Sequence, residues 1–315
     1  MPKNSEFIKE DIRNFRTDKR FDLITLYGVA NSFDKSDISK IYHMCYGLLK
    51  TDGKLLVKHQ CGRIEDVFVD KFSDKLNSDY CAYYHSVKNH QKMLRQAGFD
   101  FDTIDPYPLD RNKWENTEFK AFICKRTAPI LYTEYFPKAR QDETEWFAMH
   151  KRRESVPRSN DAKWELLKTI KTHLDANDIP FHLMFGTLLG AVRDGDFIEW
   201  DGDVDVAILG RFQNRLMKVL DEIPLKLWRI QDYACSLVYE DEFVDIYTYT
   251  EEDKYSYCGG AKRFFDEDKD VFDNPSKVMF KGLEFLTVKD PVSSLRRWYG
   301  DDWTTPKKLY WESFF

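Results

Sequence analysis

No apolar run in this sequence approaches the ~20 residues that a helix needs to cross a bilayer. The N-terminal stretch, MPKNSEFIKEDIRNF, lacks the apolar centre of a secretory leader. Both absences predict a cytoplasmic protein, and leave a peripheral membrane contact open. An excess of positive charge is missing too. Lys and Arg number 48 against 54 Asp and Glu, a formal net charge of -6. A global electrostatic grip on nucleic acid is therefore not expected. Clustered metal ligands of the zinc type are also absent. Cys45, Cys61, Cys81, Cys124, Cys235 and Cys258 form no CxxC pair. Scattered cysteines without a leader read as reduced, mostly buried thiols. The seven histidines are as dispersed, and read as surface or locally satisfied residues. Internal repeats and low-complexity tracts are lacking.

What is present suits two packed domains. The chain has 315 residues, 42% hydrophobic and 16% aromatic, too many for one ordinary core. Residues 1–127 alternate short apolar runs with helical patterns. EFIKEDI, FDLITLYGV and KLLVKHQ read as strands, and DISKIYHMCYGLLK as a helix with Ser36 as a potential N-cap. VKNHQKMLRQAGF reads as a helix closed by Gly98, with a strand pair in DFDTIDPYP and FKAFICKR. This alternation predicts an α/β unit with a mostly parallel sheet. Residues 128–160 read as a charged, Pro-containing, aromatic connector. Its KRRE stretch at 151–154 reads as a solvated face or a contact for an anionic glycan or lipid head group. From 161 to 315 a second unit follows, opened by a helix with Leu166, Leu167, Ile170 and Leu174 at helical spacing.

In the first unit, FDLITLYGVANSF and LLKTDGKLLVKH resemble the middle and C-terminal motifs of class I S-adenosylmethionine (SAM)-dependent methyltransferases. The resemblance implies a partial Rossmann-like sheet, and places Asp11 at the acidic position near the cofactor's adenine. The glycine-rich turn that lets such a cofactor approach the backbone has no counterpart upstream of Asp11. SAM binding by this chain alone is therefore not expected.

The second unit carries the sharper pattern, GTLLGAVRDGDFIEWDGDVDVAIL from Gly186 to Leu209. On a strand, side chains alternate faces. Val204, Val206 and Ile208 then enter a core, while Asp203 and Asp205 share the opposite face and Asp201 lies near the strand entrance. Carboxylates so close repel one another and call for a cation. Hard divalent ions such as Mg²⁺ or Mn²⁺ take oxygen ligands, commonly one or two carboxylates with phosphate oxygens. A further strand, EFVDIYTYT, adds Asp245, facing out of the core. Upstream, Gly186 permits a tight turn, Thr187 offers a hydroxyl and an N–H, and the following helix start attracts phosphate. Arg193 adds a forked guanidinium. Helix, strand, Gly-Thr turn, helix and DxD strand make the plan of the nucleotidyltransferase fold, an α+β unit suited to in-line attack at phosphorus.

The same stretch closely resembles the LicD/fukutin family signature. FVDIY resembles its later acid, and VKDPVSSLRRWYGDDWTTP its closing element, with Pro291, Tyr299, Gly300, Asp302, Trp303 and Pro306. The resemblance covers about 161–308. It implies transfer of phosphocholine or a polyol phosphate from a CDP-activated donor to a glycan or glycolipid hydroxyl. Asp203 and Asp205 would bind the metal, Asp245 would complete the catalytic acids, and Gly186, Thr187 and Arg193 would hold the donor phosphate. Asp194, Asp196, Glu199 and Gly202 depart from the family pattern and leave the donor open. Two alternatives stay open beside this: a piece of a bifunctional enzyme that also methylates a glycan, and a non-catalytic glycan-binding module. Trp298, Trp303 and Trp311 read as core residues or sugar-stacking platforms.

Overall fold

The structure is a computed structural model that describes residues 6–107, 115–128, 159–231, 234–240, 242–251, 255–258 and 267–307. The chain divides into two compact units, Met1–Ala128 and Pro129–Phe315. Most of the expected connector, with KRRE, lies outside the described residues, as does Trp311. No described helix is long and apolar enough to cross a membrane.

The first unit is α/β. Strands β1 (Phe21–Tyr27), β2 (Leu49–Gly62), β5 (Asp100–Ile104) and β6 (Thr117–Lys125) form one sheet in the order β1-β2-β6-β5. Only β1 and β2 pair in parallel. β6 inserts antiparallel between β2 and β5, so the expected mostly parallel sheet has one reversed strand. Helices α1 (Lys35–Leu48) and α2 (Val87–Gln96) supply the core with Ile38, Ile41, Tyr42, Met93 and Leu94.

Two expectations need correction here, and one element was unforeseen. EFIKEDI is not a strand: Asp11 instead caps a short 3₁₀ turn, Ile12–Asn14. Its carboxylate accepts from the Arg13 backbone and guanidinium, which hold its pKa down at about 2. Local side-chain pairing has displaced sheet pairing for this charged segment. The cap of α1 is Asp34, which accepts the Asp37 N–H at 2.9 Å, two residues before Ser36. A separate hairpin, β3 (Val67–Ser73) with β4 (Ser78–Tyr84), went unpredicted.

The histidines also differ from expectation. His43 and His173 are satisfied locally, each bonded to the carbonyl four residues back. His59, His85, His90 and His182 are buried. The His59 and His90 rings stack at 5.2 Å, and His90 Nδ1 meets the Tyr42 hydroxyl at 2.9 Å. Both ring nitrogens of His59 and Nε2 of His90 lack a hydrogen-bond partner among the described residues. Burial drives the His59 pKa down to about 3 and that of His90 well below its ordinary value. The thiols of Cys45, Cys61 and Cys124 are buried as expected, but Cys81 is exposed.

The second unit is α+β around a mixed nine-stranded sheet. Its centre runs β11 (Glu242–Glu251), β8 (Val204–Leu209), β7 (Phe181–Leu183), β15 (Leu283–Leu286) and β14 (Lys277–Phe280). β9 (Lys226–Gln231) and β10 (Ala234–Tyr239) extend it from β11, beside β12 (Tyr255–Cys258) and β13 (Glu267–Asp268). Helix α3 (Asn160–Ala176) buries Leu166, Leu167, Ile170 and Leu174, the expected stripe. Ser159 caps it, and the Ser159 N–H donates to buried Glu242 at the start of β11, at 2.9 Å. Helix α4 (Phe185–Arg193) follows β7 directly, and α5 (Gln213–Val219) follows β8 after a 3₁₀ turn. Helix α6 (Pro291–Tyr299) is capped by Asp290 and ended by Gly300 at φ 88, a backbone angle suited to glycine.

Candidate active site

The site grows from the pairing of β8 with β11. These parallel strands place Asp205 directly opposite Asp245. Both acids, expected to face out of the core, are covered from solvent: Asp205 is 7% exposed and Asp245 4%. Burial first, then Asp203, Asp201 and Asp245, push the Asp205 carboxyl well above the usual range. Such a group ionises readily only when a cation arrives.

Asp201, Asp203 and Asp205 converge. Each offers a carboxylate oxygen, and these oxygens lie within 4.8 Å of one another. The metal assignment from sequence stopped at Asp203 and Asp205, so Asp201 is an addition. Three hard oxygen donors around one point fit a divalent cation such as Mg²⁺ or Mn²⁺.

Asp245 is held differently. Ser236 Oγ donates to its Oδ1, and Arg229 Nη2 donates to its Oδ2 at 2.7 Å. Arg229 Nε also donates to Ser236 Oγ at 3.0 Å. The Tyr247 hydroxyl reaches Asp245 Oδ2 at 3.4 Å. Arg229, Ser236, Asp245 and Asp205 are register partners on β9, β10, β11 and β8, so they form one row across four strands.

The expected phosphate-holding residues take more specific positions. At Gly186 φ is not positive; the left-handed residue of the β7–α4 turn is Phe185, at φ 41. Gly186 is needed for close approach, since a Cβ there would lie 2.1 Å from Asp201 Oδ2. Gly190 repeats the device one turn on, where a Cβ would meet the Asp196 carbonyl oxygen at 2.5 Å. The two glycines let the 194–201 loop lie against α4 and deliver Asp201 to the helix start, where its charge is favoured. Thr187 is buried, and its Oγ1 accepts the Asp205 N–H at 2.8 Å, anchoring the entrance of β8. Arg193 forks onto Asp194, with both contacts at 2.7 Å. Asp196 pairs with Lys281 at 2.7 Å. The departures Asp194 and Asp196 are thus neutralised where they stand.

Two further residues, Lys163 and Tyr247, were not singled out from sequence, and a third, Tyr299, gains a role beyond the closing element. Lys163 on α3 is fully buried, and its Nζ donates to the Asp201 carbonyl at 2.7 Å. Tyr247 and Tyr299 are pushed well above their ordinary pKa by burial and then by the acids, which places both hydroxyls in the field of the cluster. Tyr247 was legible, because it lies two residues after Asp245 on the same strand face. Tyr299 was noted only as part of the closing element. Phe185 packs against Tyr247 and Trp298, with ring centroids at 5.6 and 5.1 Å. Trp298 and Trp303 pack on the core, so the structural role expected of them is the one described.

The acid-rich strand end, the helix start behind it and the parallel neighbour carrying a further acid all fall within one stretch of the chain, 178–285. Residues 178–285 match the LicD family. The family is described as LicD/FKTN/FKRP, nucleotidyltransferase domain, and the LicD match takes in every site residue from Gly186 to Asp245. It is shorter than the 161–308 expected, and leaves out Lys163 and the closing Pro291–Pro306 element. An uncharacterized protein of Rickettsia typhi is 27% identical over 140 residues, 43% of this chain and 45% of that protein. One of Rickettsia prowazekii is 25% identical over 141 residues, 43% of this chain and 53% of that protein. The chain thus spans about half the length of these curated relatives. Among solved structures, an S-adenosylmethionine-dependent methyltransferase from Clostridium acetobutylicum is 19% identical. It covers 37% of this chain and 62% of its own, with a TM-score of 0.28. ANT(2″)-Ia in complex with adenylyl-2″-tobramycin is 16% identical, over 40% of this chain and 68% of its own, with a TM-score of 0.32.

Proposed function

We propose that the second unit is a metal-dependent transferase. It moves phosphocholine or a polyol phosphate from a CDP-activated donor to a hydroxyl of a glycan or glycolipid. The observation that carries this is the convergence of Asp201, Asp203 and Asp205 within 4.8 Å, inside the LicD-matched segment. A divalent cation bound there supplies positive charge to the donor's diphosphate. The acceptor hydroxyl oxygen attacks the phosphorus of the transferred group. A new P–O bond forms, the bond to CMP breaks, and the bond's electron pair leaves with CMP. The acceptor's proton passes to a carboxylate, for which Asp245 is suited: Arg229 and Ser236 fix its orientation beside Asp205. Tyr247 donates toward the same carboxylate and limits its rotation. Arg193 is the last residue of α4, where a donor phosphate would compete with Asp194 for its fork.

The test is a panel of CDP-linked choline, ribitol and glycerol donors, incubated with a glycan extract and Mg²⁺. Release of CMP with one donor, dependent on both metal and acceptor, is the expected result. No release with any donor, from protein that binds Mn²⁺, would exclude this chemistry and leave a binding module.

A further inference from the structure

We propose that Lys163 is a positioning residue for the metal site. It holds the end of the 194–201 loop so that the Asp201 carboxylate stays among those of Asp203 and Asp205 before an ion arrives. The proposal rests on the metal-dependent reading above and adds a residue from outside the matched segment, 178–285.

Lys163 stands where an apolar side chain would be expected. Leu166 and Leu167 follow it at three and four positions, the spacing of neighbours on one helix face. Like those two leucines it is 0% exposed. A lysine is rarely buried so completely unless its charge is engaged, and packing alone would favour an apolar residue. Its Nζ reaches the backbone carbonyl of Asp201 at 2.7 Å. A charged donor makes a stronger bond there than a neutral one.

Asp201 needs such a hold more than its neighbours do. Asp205 is fixed through both backbone groups: its N–H donates to Thr187 Oγ1 at 2.8 Å, and its carbonyl accepts the Met184 N–H at 3.1 Å. Asp201 ends a loop instead. Its N–H turns back onto the Ile198 carbonyl at 3.1 Å, a bond made within that loop. Lys281 secures the loop near its start, at Asp196. The first turn of α3 secures the rest: Asn160 Nδ2 donates to the Phe197 carbonyl at 3.3 Å, and Lys163 to Asp201. Carboxylates that converge within 4.8 Å repel one another, and the repulsion acts most easily on the one a loop carries. The same turn of α3 is tied to the strand of the remaining acid, since the Ser159 N–H donates to Glu242, three residues before Asp245. A ligand set held in place in this way binds an ion without the added cost of ordering the loop.

Mn²⁺ titration of the full chain, followed by the paramagnetic resonance of the free ion, tests this. Water-proton relaxation on the same samples counts the waters on the bound ion. Lys163→Met keeps the length of the side chain and removes the donor. It should bind Mn²⁺ about 10–100-fold more weakly than wild type, the usual loss when a residue that orients a metal ligand is removed. Its bound ion should also carry one more water, in the place that Asp201 leaves. Lys163→Gln, one bond shorter, should show both changes and decides the matter if Lys163→Met fails to fold. Wild-type affinity in the folded variant would overturn the proposal. So would weaker binding with an unchanged water count, which would make Lys163 a general support of the fold. No Mn²⁺ binding by wild type would instead remove the metal-dependent reading itself.

Discussion

Asp205 and Asp245 face each other across the parallel β8–β11 pair, yet among the described residues only Asp245 has an ion pair of its own. That asymmetry predicts different consequences for the two. Asp203→Ala/Asp205→Ala should abolish Mn²⁺ binding by calorimetry. The double variant should unfold at the same temperature as the metal-free wild type or higher, because it removes like-charge repulsion and a buried carboxyl. Unchanged Mn²⁺ affinity would refute the ligand assignment.

Asp245→Asn keeps shape and removes charge. With the best donor, kcat should fall by about 100-fold or more while donor KM changes little, the pattern of a group that acts in the transition state. Steady-state CMP release measures both. A rise in KM alone would move Asp245 into donor binding.

At Gly186 two effects oppose each other. Alanine is the better helix former by about 1 kcal/mol. Against it, the new methyl would collide with Asp201 Oδ2, and overpacking of this kind costs about 1–3 kcal/mol. Gly186→Ala should therefore lower stability and weaken Mn²⁺ binding together. Adding Asp201→Ala should recover the stability but not the metal, as thermal unfolding and ion titration on the same samples would show.

Arg193 and Asp194 share a bidentate contact. If donor phosphate competes for that fork, Arg193→Lys should raise donor KM and Asp194→Ala should lower it. Donor KM moving the same way in both variants would assign the pair to structure alone.

The first unit should weaken in acid. The folded pKa of His59 lies at about 3, below the ordinary 6.5, so between these values the unfolded chain binds the extra proton. The stabilisation is complete above pH 6.5 and is lost as pH falls toward 3. The slope reaches at most about 1.4 kcal/mol per pH unit for each such histidine. His90, shifted the same way, adds to it. Urea midpoints at pH 7 and pH 5 should differ for wild type and differ less for His59→Leu. An equal difference in both proteins would place the acid sensitivity elsewhere.

The sequence made the strand β8, its acids and its parallel neighbour readable, because alternation on a strand is a local property and Val204, Val206 and Ile208 mark the core side. The partners of those acids were less legible. Arg229 lies sixteen positions before Asp245 on β9 and meets it only after three strands have paired in register. Lys163 arrives from α3, 38 residues before the carbonyl it touches. Glycine was misread for a related reason. Gly186 sits where a tight turn is plausible, but the left-handed angle fell on Phe185, and the need for glycine comes from a loop that folds back fifteen residues later. In the first unit, β6 was recognised as a strand, but its reversed direction depends on which gap in the sheet it enters. His59 shows the same limit, since nothing in KLLVKHQ tells which alternate face will be covered by α2.

The interior position of β8 also sets how the site can move. Its backbone is hydrogen-bonded to β7 on one side and β11 on the other. Amide protons of Val204–Leu209 should then be among the slowest in the unit to exchange with solvent, opening only when the whole sheet does. The 194–201 loop is held instead by side chains: Lys163 on the Asp201 carbonyl, Lys281 on Asp196, and Phe197 and Ile198 in the core.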